Sequence, residues 1–158
     1  CLVGSEMCIR DSPNIACDTI GSRKLVCVLP NVNPLSQKPF ITLTDLTHEN
    51  LISYRVESPL GKIIDTTFQQ AGLTPTSYLE VGSPQNACSL VQEGVGVALV
   101  DEFSAISTQS PSVVVRQVIN APTIDICLLH LSTSPLSSNA SLFAEEIRLL
   151  LAETLPRQ

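Results

Sequence analysis

The sequence has no tryptophan, two tyrosines, four phenylalanines and one methionine in 158 residues. So few flat rings leave no stacking platform of the kind that holds single-stranded nucleic acid. Basic residues are also scarce: nine Lys and Arg face fifteen Asp and Glu, the formal charge is −6, and the cations form no cluster. A phosphate backbone needs several cations gathered on one face, so this stretch is not expected to hold DNA itself. Only two histidines occur; His48 falls in a polar turn and His130 near the end of a strand pattern, and both read as structural or surface residues. No GxSxG elbow, Walker loop, GxGxxG or HExxH occurs, and Asp, Glu, His and Cys never recur at metal-ligand spacing. Neither an enzyme nor a cofactor or metal site is expected. The apolar runs, at residues 25–29 and 95–100, are too short to span a bilayer, so a soluble chain with no membrane partner is expected.

The six cysteines (Cys1, Cys8, Cys17, Cys27, Cys88, Cys127) include no CxxC pair, and three sit in apolar periodic segments. That pattern fits reduced, buried thiols of a cytosolic protein better than a disulfide framework. Cys88 lies one turn into a helix pattern, where a redox role has to be weighed, but Ala87 and Val91 beside it favour ordinary packing. Residues 1–12 fit no fold pattern. The stretch from Ser5 to Ser12 resembles the translation of a transposon-end sequencing adapter, so residues 1–12 are set aside from fold reasoning.

What is present is an alternation of strands and helices. Residues 24–29 are a β-branched apolar run stopped by Pro30, followed by a turn-rich connector over 31–39. Thr42, Thr44 and Asp45 are capping residues before a short helical turn that presents Leu43 and Leu46. Residues 51–54, 77–81 and 95–100 read as strands. The helices between them open at Ser58-Pro59 and Ser83-Pro84 and stop at Gly72 and Gly94. Leu60, Ile63, Ile64 and Phe68 share a face of the first helix, and Ala87, Leu90 and Val91 a face of the second. The glycines of Gly94-Val95-Gly96 precede a strand instead of opening a helix, so they read as a tight turn and not a pyrophosphate cradle.

This alternation predicts an α/β fold with a parallel sheet and right-handed crossovers. Residues 113–118 and 124–131 then read as strands joined by an Asn120-Ala121-Pro122 turn. A helix over 139–153 is expected to turn Leu142, Ile147, Leu149 and Leu150 to the core. Grouping this tail with the opening strand gives two lobes, one of residues 13–29 and 105–158, the other of 30–104, with a cleft between them.

Each Ser-Pro junction sets free backbone N–H groups and the positive end of a helix at the carboxyl edge of a parallel sheet. Such an edge suits a carboxylate, and two junctions on successive strands mark a candidate binding site at Ser58, Ser83, Pro84 and Gln85. Ser53, Arg55 and Glu57 lead into the first junction. Arg55 can fork onto a carboxylate and Glu57 can meet a cationic or amide group, and both read equally well as solvated loop charges. Asp101 and Phe103, just beyond the third strand, complete the expected rim.

With these elements placed, residues 13–157 resemble the effector-binding region of LysR-type transcriptional regulators. The resemblance is carried by Leu25-Val26-Cys27-Val28-Leu29-Pro30, by Asn33-Pro34-Leu35, and by the blocks 51–71, 79–87 and 90–103. Asn33 stands where the family usually has His. The resemblance implies a periplasmic-binding-protein-like (type 2) two-lobed sensor, with the second lobe complete and the first partial. It also implies an N-terminally truncated chain whose DNA-binding helix-turn-helix domain is absent, so that DNA is met only through that missing domain. The intact protein would be a cytoplasmic, bacterial homodimer or tetramer. The wording is most similar to the branch concerned with lysine biosynthesis and opine catabolism, which implies an amino acid, diaminopimelate or an opine-like effector. The alternative is a solute-binding protein of a transporter with the same fold, which a secretion signal in place of a helix-turn-helix upstream would reveal.

Overall fold

The computed structural model describes residues 13–108 and 110–153. The expectation for residues 1–12 lies outside the described residues. In chain order the elements are β1 (Ile15–Pro30), a 3-10 turn (Pro34–Gln37), β2 (Phe40–Ile41), α1 (Leu43–Leu46), β3 (Leu51–Tyr54), α2 (Pro59–Gln70) and β4 (Ser77–Val81). They continue with α3 (Pro84–Gln92), β5 (Val97–Asp101), α4 (Glu102–Ile106), β6 (Val113–Val118), β7 (Thr123–Leu131) and α5 (Ser138–Glu153). Two compact units result: one is Lys24–Ile124, and the other joins the residues up to Arg23 to those from Asp125 onward.

Within Lys24–Ile124 the strands run in the order β2-β6-β1-β5-β3-β4. The block β3-α2-β4-α3-β5 is parallel, with Tyr54 opposite Val81 on one side of β3 and Leu51 opposite Val97 on the other. β1 departs from the grouping read in the sequence. Its residues 25–28 pair antiparallel with 98–101 of β5, and its other edge pairs antiparallel with β6, so it lies inside the sheet of the parallel block. Leu25 to Leu29 are all buried, as a central strand requires. A continuous apolar run marks a strand covered on both faces but says nothing of its direction or neighbours, which is why the sequence alone set it with the tail. The units divide at 23/24 and 124/125, whereas the lobes read from the sequence divide at 29/30 and 104/105.

Local chemistry shapes the unit as the sequence reading expects. Thr42 and Asp45 form a reciprocal capping box around α1. α2 and α3 begin at the two Ser-Pro steps and end at Gly72 and Gly94, whose φ angles are +68° and +75°. Ile64 and Phe68 of α2 and Ala87 and Val91 of α3 are buried, with Leu60, Ile63 and Leu90 packed beside them. Burying Ile64, Phe68 and Val91 contributes about 1.5–3 kcal/mol each. Asn33 caps the 3-10 turn by accepting from the Leu35 amide at 2.8 Å, and its Nδ2 donates to Glu49 at 2.8 Å. Arg116 of β6 reaches back to the same connector, donating to the carbonyls of Lys38 at 2.9 Å and Ser36 at 2.7 Å.

In the other unit, β7 pairs β1, the Ser132 amide donates to the Asn14 carbonyl at 2.9 Å, and His130 Nε2 lies 3.3 Å from Asp18. Arg23 donates to the main-chain carbonyl of Leu151 in α5. The covered stripe of α5 is Ala140, Ala144, Ile147 and Leu151, spaced at i, i+4, i+7 and i+11. Of the four residues read as its core side, Ile147 is half-buried, while Leu142, Leu149 and Leu150 are exposed. α5 carries apolar residues on more than one face, and the choice of stripe belongs to what packs against it.

Candidate functional site

The register that sets Tyr54 beside Val81 also sets the two strand ends level, so α2 and α3 open at the same edge of the sheet. At the first junction, Ser58 Oγ accepts from the Gly61 amide at 3.1 Å and donates to the Arg55 carbonyl at 2.7 Å. The same carbonyl takes the Ser58 amide at 2.9 Å, and α2's own ladder starts with the Lys62 amide on the Ser58 carbonyl. Pro59 has no N–H, which leaves the Leu60 amide, second in the helix, with no acceptor inside α2. The second junction repeats this. Ser83 Oγ accepts from the Asn86 amide at 3.3 Å, the Ala87 amide reaches the Ser83 carbonyl, and Gln85 next to Pro84 holds the amide without an intrahelical acceptor. The Ser58 hydroxyl thus both donates and accepts within its cap, and the Ser83 hydroxyl accepts within its own. What the edge offers a ligand is a pair of backbone amides at positive helix ends, each end being worth about 0.3–1 kcal/mol to an anion at an exposed surface.

Gly61 makes the first junction possible. A Cβ there would overlap the Arg55 carbonyl oxygen and stand 2.8 Å from the carbonyl carbon and 2.9 Å from Ser58 Oγ. One sequence signal does mark it: a glycine inside a helix costs about 1 kcal/mol and so points to a close backbone approach.

Asp101 closes the edge on the β5 side and caps α4, a helix the sequence reading did not separate from its surroundings. Its Oδ1 accepts from the Ser104 amide at 3.0 Å and its Oδ2 from the Ser104 hydroxyl at 2.6 Å. Gln85 Nε2 approaches the same hydroxyl at 3.5 Å, which ties the start of α3 to the cap of α4. Behind them the Ser104 carbonyl accepts from Thr108 Oγ1 at 2.8 Å, and Cys88 Sγ lies 3.8 Å from it. Burial pushes the Cys88 thiol up, partly offset by a hydrogen bond from Thr108, so this cysteine is a neutral packing residue. Burial likewise raises the Tyr54 phenol, whose hydroxyl donates to the Leu99 carbonyl at 3.0 Å.

The residues expected at the site thus separate into groups. Ser58, Ser83, Pro84, Gln85 and Asp101 meet at one edge, and Phe103 follows on α4, half-buried. Arg55 and Glu57 are exposed on the turn that leads into α2. Ser53 is elsewhere: its Oγ lies 2.6 Å from Ser77 Oγ in a cavity between α2 and β4. The groups gathered at the edge are backbone amides, capping hydroxyls and a carboxylate already hydrogen-bonded to a serine, a set suited to holding a ligand.

Residues 2–152 match the LysR substrate binding domain family. The chain belongs to that family. It is 27% identical over 123 residues to the transcriptional activator protein LysR of Escherichia coli strain K12, covering 78% of this chain and 40% of that one. It is 31% identical over 103 residues to the regulatory protein NocR of Agrobacterium tumefaciens strain T37, covering 65% of this chain and 34% of that one. This LysR-family domain therefore spans two fifths or less of the length of these relatives. Among solved structures, the CcmR regulatory domain of Synechocystis PCC6803 in complex with 2-PG matches it with a TM-score of 0.75 at 17% identity, over 90% of this chain and 70% of that one. The fold is the α/β, type 2 periplasmic-binding-protein-like fold of LysR effector-binding domains, as the sequence resemblance implied.

Proposed function

We propose that this domain senses a small amino-acid-like effector on behalf of a bacterial, cytoplasmic, homo-oligomeric LysR-type transcription regulator, and that it binds without catalysing a reaction. DNA is contacted by a helix-turn-helix domain outside this chain. The observation that carries the reading is the pair of open amides, Leu60 and Gln85, at two capped helix N-termini on one sheet edge. A ligand carboxylate takes these amides, with the Arg55 guanidinium as a charged partner from the turn. Glu57 or Asp101 meets an ammonium group; each Asp101 oxygen accepts one hydrogen bond from Ser104 and keeps a further lone pair. The 2-PG held by the CcmR regulatory domain supports a small-molecule ligand, and the resemblance to the lysine-biosynthesis and opine-catabolism branch supports an amino-acid-like one. Binding regulates by favouring one of two conformations that already interchange.

Calorimetric titration of the intact regulator against lysine, diaminopimelate, arginine and opines tests this. One of them binds, and Ser83→Phe, folded by circular dichroism, loses the heat of binding. Silence from every ligand, or normal binding by the variant, refutes the site.

A further inference from the structure

A cavity of about 260 Å³ lies under α2, between that helix and the edge strand β4, and its lining reaches Val56 and Gly61 beside the first Ser-Pro cap. Its floor is the hydroxyl pair Ser53 and Ser77, 2.6 Å apart, with Ser77 also 3.4 Å from the Leu79 carbonyl. If Ser77 donates to that carbonyl and Ser53 donates to Ser77, both hydroxyl protons are used and Ser53 presents only lone pairs inward. The walls are apolar, formed by Ile64, Phe68, Leu73 and Pro75. Two carboxylates, Asp65 and Glu80, complete the lining, and no Lys, Arg or His is among the lining residues. Gln69 sends an amide proton to Asp65 at 2.6 Å, which fixes the orientation of that carboxylate.

We propose that this cavity is a second ligand site, selective for a small primary alkylammonium ion. An apolar tail fits against Ile64, Phe68 and Leu73, while a cationic head with three donors meets a lining dominated by acceptors with two negative charges. A neutral alcohol of the same length fills the same space but brings one donor and no charge. A carboxylate meets like charge and too few donors. The preference is thus the reverse of that at the sheet edge, where open amides favour an anion, so the two sites are separable by ligand charge.

The test uses the whole chain, labelled for amide NMR, titrated with n-pentylamine, n-pentanol and pentanoate at neutral pH. Saturable shifts from n-pentylamine are expected at residues 51–56, 64–69 and 73–80, with pentanol weaker and pentanoate without effect there. The double variant Asp65→Asn, Glu80→Gln removes both charges of the lining at residues that are half-buried and exposed, and should weaken n-pentylamine binding by about tenfold or more. Ser53→Val, which removes the floor acceptor, should weaken it as well. Equal binding of amine and pentanoate, shifts outside these segments only, or a double variant as tight as the wild type overturns the proposal. A failure here leaves the effector site untouched, since no residue of the two caps is altered.

Discussion

Replacing Gly61 by alanine sets two physical terms against each other. Helix propensity favours alanine by about 1 kcal/mol in a helix interior. Against this stands the overlap of the new Cβ with the Arg55 carbonyl, together with approaches of 2.8 Å to its carbon and 2.9 Å to Ser58 Oγ. Backbone cannot yield as a flexible side-chain end does, so either the first turn of α2 or the turn from Arg55 to Ser58 has to shift. Three hydrogen bonds depend on that spot: the Ser58 amide on Arg55 at 2.9 Å, the Ser58 hydroxyl on Arg55 at 2.7 Å, and the Gly61 amide on Ser58 Oγ at 3.1 Å. Loosening them costs about 1 kcal/mol apiece, in line with the ~1–3 kcal/mol typical of overpacking. Subtracting the propensity gain leaves a net loss of about 2 kcal/mol. For a chain of this size that lowers Tm by ~4–8 °C.

Urea and thermal unfolding of Gly61→Ala beside Gly82→Ala reads the difference. Gly82 has open space where its Cβ would go, so its variant should stay near the wild type. Gly61→Ala as stable as the wild type, or Gly82→Ala falling equally far, would refute the reasoning. The same displacement turns the Leu60 amide, so effector affinity should fall with stability in Gly61→Ala and not in Gly82→Ala.

Two further outcomes follow from titrating groups. The Lys38 ammonium at 2.7 Å and then the Thr42 amide at 2.9 Å hold the Asp45 carboxyl below the usual carboxylate range. Its contribution is therefore present above the unfolded value of about 3.9 and lost as pH falls through the lower folded value. The stability gap between wild type and Asp45→Asn should narrow from pH 7 to pH 3, and a constant gap would rule this out. Burial first, and the Glu49 charge second, push the Cys27 thiol up to about 12. Here the folded value exceeds the unfolded one of ~8.5, so stability is full below that pH and declines as pH rises toward the folded value. Chemical denaturation between pH 8 and pH 11 should show a shallower decline in Cys27→Ala than in the wild type; identical slopes would contradict the assignment.

What could be read from the sequence divides along physical lines. The bounds of β3, β4 and β6 and the starts of α2 and α3 were legible because their signals are local: a capping serine, a proline with preset φ, a glycine at the stop. Five-residue α4 carries too few turns to show periodicity, so Asp101 read as a rim residue before it could be seen as a cap. The direction of β1 and the covered stripe of α5 depend on partners far away in the chain, and no window of sequence contains them.

Ser53 shows how the same distinction acts on the site. Its nearness in sequence to Ser58 suggested a shared pocket. Side chains alternate along β3, however, and residue 53 is sent beneath α2 to meet Ser77 while the caps stand beyond the strand's end. A site built from helix starts is legible because each start is specified within four residues, whereas membership of one pocket is decided by sheet register and strand sidedness. The two junctions are brought level by the single pairing of Tyr54 with Val81. A one-residue slip of β4 against β3 would leave both caps intact and still separate their amides, so the edge depends on that register as much as on either serine.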